Sequence, residues 1–180
     1  MRLIAPMIAA ACVAFLALPA AASPAFDAFR QACGDNHTDF AAIKTALAGS
    51  AWTPADVQPT NMENVTLTES IARTASVGGA RVTVFAWEGT KGAFHVTACT
   101  ARVAKGALGE LTHESQAWLG FAPASVDGGK STWRYGETGG KPAAAEQAGY
   151  QAAAGGGGLF FYNVFADHGD IVLDLLKIKS

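Results

Sequence analysis

The chain predicts an α+β fold: an antiparallel sheet of about five to seven strands, helices packed mainly on one face, and one disulfide. Three observations predict it. Apolar residues recur at helical spacing between Ser23 and Gly49. Alternating β-branched segments run from Val65 to Val103 and resume beyond Leu159. Two cysteines remain once an apolar leader is set aside.

The leader is Met1 to Ala22. Arg2 supplies one positive charge, an apolar run containing Pro6 extends to Leu18, and Ala20, Ala21 and Ala22 offer small residues for cleavage. Residues 1–22 are therefore read as a signal peptide and 23–180 as a single globular domain. An uncleaved anchor would need roughly 20 apolar residues in a spanning helix. Pro19 sits badly near the end of such a helix, and the alanine triplet before Ser23 fits a signal peptidase. A lipoprotein acylated at Cys12 is disfavoured, because Ala9, Ala10 and Ala11 lack the usual leucine and the apolar run continues past Cys12. The expected location is periplasmic or secreted, with no membrane span after cleavage and a setting in which a disulfide is chemically sensible. The short alanine-rich leader reads as bacterial, so the sequons Asn36-His37-Thr38 and Asn64-Val65-Thr66 are incidental.

Ser23 is a good N-cap and Pro24 a good first helical residue, placing Phe26, Phe29 and Cys33 on one face before Gly34 ends the helix. A second helix is expected from near Asn36 or Thr38, carrying Phe40, Ile43 and Leu47 and closing at Gly49. Trp52 to Glu63 reads as loop. Strands follow at Val65 and Leu67, Ile71 to Val77, Arg81 to Glu88 and Ala93 to Val103, with a tight hairpin at Gly78-Gly79. Leu108, Leu111, Ser115, Trp118 and Leu119 mark a helix from Ala107 to Leu119. Ser131 to Tyr135 is a short strand. Lys141 to Gly158 is expected to be a short helix followed by a flexible four-glycine link. Leu159 to Ala166 and Ile171 to Lys179 resume strand character, with apolar content suited to central positions.

Cleavage leaves about 158 residues, enough for one domain with a real core. With Arg2 gone, 12 basic side chains face 15 acidic ones, a formal net charge of about −3 with no run of either sign. Nucleic acid is therefore not an expected partner. Cys12 leaves with the leader, so Cys33 and Cys99 are expected to pair. The bridge would close a loop of about 66 residues and stabilise by about 4 kcal/mol on the chain-entropy account. A reactive-thiol role is disfavoured, since neither lies in Cys-x-x-Cys.

Catalytic signatures are weak. His113-Glu114 begins a His-Glu-x-x-His pattern, but Ala117 and Trp118 stand where the second histidine belongs, so the pair reads as the polar face of a helix. Gly128-Gly129-Lys130-Ser131 resembles the end of a phosphate loop, with Ala124 in place of its first glycine and a strand where a helix is required. Asp35-x-His37-x-Asp39 and Asp167-His168-x-Asp170 bracket histidines with acids, but acids at helix starts and in turns are the plainer reading, and no metal is expected. His95 in a strand reads as a hydrogen-bonded histidine, and no Gly-x-Ser-x-Gly or Ser-x-x-Lys occurs.

Exposed tryptophans anchor ligands and partners. Trp87 and Trp118 fall on periodic segments and read as core. Trp52, in a loop, and Trp133 with Arg134 and Tyr135, in a short strand, are the surface-binding candidates. The resulting expectation is an exported envelope domain that binds a protein partner or a small envelope ligand without catalysis and without a cofactor. The alternative is an envelope hydrolase acting on peptidoglycan, peptide or ester, with His95 or His113 as base and Glu110 or Glu114 nearby. The catalytic residues of such an enzyme are not identified by any motif.

Overall fold

A computed structural model describes residues 22–57, 64–146, 149 and 154–180. Residues 1–21, all but the last of the expected leader, lie outside the described residues. The chain order is α1 (Pro24–Phe29) running into a π turn (Arg30–Gly34), then α2 (Phe40–Ala46), β1 (Thr53–Pro54), β2 (Thr66–Val77), β3 (Ala80–Lys91) and β4 (Phe94–Ala104). It continues with α3 (Leu108–Leu119), β5 (Ser125–Asp127), β6 (Lys130–Thr138), β7 (Lys141–Ala144), β8 (Leu159–Asp167) and β9 (Asp170–Lys179).

The first helix starts as its residues dictate: Ser23 Oγ accepts from Phe26 N and Pro24 occupies the first turn, where no amide is needed. The second helix is capped by Asp39, whose carboxylate accepts from Ala42 N at 2.9 Å. The start expected at Asn36 or Thr38 is displaced because His37 and Thr38 turn the chain through φ of 49° and 53°. Helix α3 ends on Gly120 in the left-handed conformation, a common helix stop.

Sheet dominates. All nine strands among the described residues form one antiparallel sheet in the order β1-β2-β3-β4-β9-β8-β6-β5, with β7 also paired to β6. Nine exceeds the five to seven expected, for a clear reason. The segments around Leu67 and Ile71 to Val77 are one strand with a register shift between Leu67 and Glu69. The additions are β1, β5 and β7, of 2, 3 and 4 residues, too short to carry a periodic signal. Lys141–Ala144 is thus a strand, where a helix had been expected, and Ala154, Gly155 and Gly156, expected within or next to a flexible link, are helical. The short strands β1 and β5 end the strand order, and β1 pairs with β2 only at Arg73 and Thr74.

One buried cluster joins Phe26, Phe29, Ile43, Leu47, Leu111 and Leu119 of the helices to Val82, Val84, Ala101, Tyr162 and Leu173 of the strands. Each fully buried side chain of this kind contributes about 1.5–3 kcal/mol. Phe29 stacks on Tyr162 at 5.4 Å between centroids, Trp118 meets both edge-on, and Trp133 packs on Tyr162 from another side. Gly34 permits this contact: a Cβ there would lie 2.8 Å from the Trp118 ring. The disulfide Cys33–Cys99 forms, with Cα atoms 5.7 Å apart, and ties the end of the first helical segment to β4 near the middle of the sheet.

Candidate functional site

Strand alternation gives the sheet two faces. The side chains of Val84, Cys99, Leu175 and Tyr162 belong to the buried cluster. The intervening residues lie on the opposite face and line a groove of about 530 Å³.

Register builds the floor of that groove. Thr100 pairs with Asp174, Asp174 with Asn163, and Asn163 with Thr132, so four polar residues from four adjacent strands form one transverse row, of which Thr100, Asp174 and Asn163 line the groove. Thr100 Oγ1 donates to Asp174 Oδ1 at 2.8 Å, Asn163 Nδ2 approaches Oδ2 at 3.4 Å, and Thr132 Oγ1 donates to Asn163 Oδ1 at 2.9 Å. A carboxylate accepts about four hydrogen bonds, so Asp174 retains acceptor capacity toward the groove.

Two rows flank this one. On one side the register aligns the apolar row Trp87, Ala98, Leu176 and Phe161, and on the other a mixed row, Thr83, Arg102, Val172 and Phe165. Lys130 Nζ lies 5.3 Å from the centre of the Phe165 ring. Arg102 Nη2 meets Asp167 Oδ2 at 2.6 Å, and His168 Nδ1 lies 2.7 Å from Oδ1 of the same carboxylate. Hydrogen bonds from Arg102 and then His168 hold the Asp167 carboxyl below its usual pKa.

The sequence-derived binding candidates separate in space. Trp133 is fully buried, with its indole N–H donating to Phe121 O at 3.1 Å, and Tyr135 stacks on Phe160 in the core. Both odd-numbered residues face inward on β6, so their role is packing, and burial raises the Tyr135 phenol well above its usual pKa. Arg134 is half-buried and continues the Trp87 row beyond Phe161. Trp52, half-buried, lines a separate cavity of about 510 Å³ beside Pro24, Ala75 and Val77.

Three of the four acids considered for metal binding have other partners. Asp35 pairs with Arg30 at 3.1 Å, Asp39 caps α2, and Asp167 pairs with Arg102. His37 meets Glu137 through Nδ1. Among the described residues, no group of three His, Cys, Asp or Glu side chains could hold a metal ion. His95, exposed, lies 3.7 Å from Glu88, while His113 is exposed on α3 and Glu114 is engaged by Ser23. No hydroxyl or thiol bonds a histidine ring among the described residues.

Thr100, Asp174, Asn163 and Arg102 were not legible as a site. Each is a lone polar residue at an outward strand position, and only the register aligns them.

The fold and groove define a sheet-dominated, disulfide-bonded domain. No protein-family model, no curated protein and no solved structure matches the chain. Among the described residues, no helix is long and apolar enough to cross a membrane.

Proposed function

We propose that the protein is an exported, periplasmic or secreted envelope domain that binds a small amphipathic ligand in the sheet-face groove, without catalysis. The ligand presents a hydrogen-bond donor, neutral or cationic, to Asp174, and lays apolar surface against Trp87, Leu176 and Phe165. The observation that carries this reading is the transverse row Thr100-Asp174-Asn163-Thr132, a few convergent polar groups between an apolar row and a mixed one. Small-ligand sites have this composition and span roughly 300–1,000 Å³, which favours a small ligand over a protein partner. The reading takes the helices as covering mainly the other face of the sheet. The buried cluster they share with Val84, Cys99, Tyr162 and Leu175 supports that assignment.

Native and denatured masses of the protein purified from its own envelope without reductant test the proposal. The expected result is a non-protein mass released on denaturation, with occupancy falling at least about tenfold in Trp87→Ala and Asp174→Ala proteins of unchanged fold, as the loss of about 1.4 kcal/mol or more requires. Equal occupancy in the variants, or no retained mass, would overturn it.

A further inference from the structure

Ser23 and Glu114 lie 91 positions apart in the chain, yet both carboxylate oxygens of Glu114 are used by this one serine. Oε1 accepts from Ser23 N, and Oε2 accepts from Ser23 Oγ at 2.9 Å. In a capping box the residue three positions into the helix reaches back to the amide of the cap. Here that position is Phe26, and the acid comes instead from the middle of α3. Ser23 is also the residue at which the leader was expected to end.

We propose that Glu114 is a binding site for the α-ammonium group of a chain that begins at Ser23. The inference rests on the exported reading. Its chemistry is hydrolysis of the Ala22–Ser23 amide by water and a leader peptidase: the C–N bond breaks, Ala22 keeps the carboxylate, and Ser23 keeps the nitrogen as an ammonium at neutral pH. A neutral amide donor facing Glu114 thereby becomes a charged one, and charge-assisted hydrogen bonds are roughly twice as strong as neutral ones. The other titratable groups on these two helices are Asp27 in the first turn of α1, Glu110 one turn before Glu114, and exposed His113. Ala22, half-buried against the core in the chain that retains it, is given up by the processed chain. Processing then supplies the folded domain with an ion pair between its first residue and α3.

Four proteins test this: the chain starting at Ser23 and the chain retaining Ala20 to Ala22, each with Glu114 and with Glu114→Gln. The substitution is expected to lower Tm by about 4 °C or more in the chain starting at Ser23 and by about 2 °C or less in the extended one. NMR titration of the Ser23 amine, which needs no variant, should give a pKa above the ordinary range of about 7.7–8.0. Equal Tm losses, or an amine titrating at or below that range, would overturn the inference while leaving export intact. The mass of the protein from its own envelope separates the two claims: a start at Ser23 supports both, a different processed start overturns only the Glu114 site, and a retained leader overturns both.

Discussion

The hydroxyl of Tyr162 meets Ser115 Oγ at 2.7 Å inside an aromatic core, and Ser115 Oγ donates its own hydrogen bond to Leu111 O at 2.6 Å. The tyrosine therefore donates and the serine accepts. Ser115→Ala strands a buried phenolic donor and is expected to cost about 1–3 kcal/mol, whereas Tyr162→Phe removes donor and desolvation cost together and is expected to cost about 1 kcal/mol. The double variant should lose less than the two single losses combined, which a denaturant double-mutant cycle measures.

Alkaline stability follows from the same burial. Desolvation raises the Tyr162 phenol far above its usual pKa, and raises Tyr135 as well, with the Glu137 charge adding to it. Both groups ionise near pH 10 in the unfolded chain, so their contribution is complete below that pH and is lost as pH rises toward the folded values. Phenolate absorbance from these two residues should appear together with loss of tertiary structure, and not before it.

Gly34→Ala tests the packing of the first helical segment. The added methyl would sit 2.8 Å from the Trp118 ring, which is itself held against Phe29 and Tyr162. Overpacking of this kind costs about 1–3 kcal/mol, and the melting temperature should fall accordingly. Gly109→Ala, where nothing lies within 4 Å, should be neutral or stabilising.

His95→Ala and His113→Ala separate binding from hydrolysis. Both side chains are exposed, so each change is expected to leave stability within about 0.5 kcal/mol and groove occupancy unchanged. Loss of turnover on a peptidoglycan, peptide or ester substrate, with the fold intact, would instead favour a hydrolase.

Local chemistry made parts of this fold readable. Ser23-Pro24 marked a helix start, Gly78-Gly79 a hairpin, and an even cysteine pair a bridge, because each signal is contained in a few adjacent residues or in simple counting. Asp39 is not legible as a cap because the left-handed turn at His37 and Thr38 has no glycine to announce it. Lys141–Ala144 reads as helix by its alanines and becomes strand through pairing with β6, a tertiary override of propensity. The groove was hidden for a different reason: Asp174 and Thr100 are 74 positions apart, and alignment of their rows depends on which strands neighbour which.

β9 is the seam of the sheet. It pairs with β4 on one side and β8 on the other, yet it follows both in the chain. Without Asp170–Lys179 no strand pairing among the described residues joins β1 to β4 with β5 to β8. The bridge Cys33–Cys99 joins two residues that both precede this seam, whereas the groove, whose floor needs Asp174 between Thr100 and Asn163, spans it.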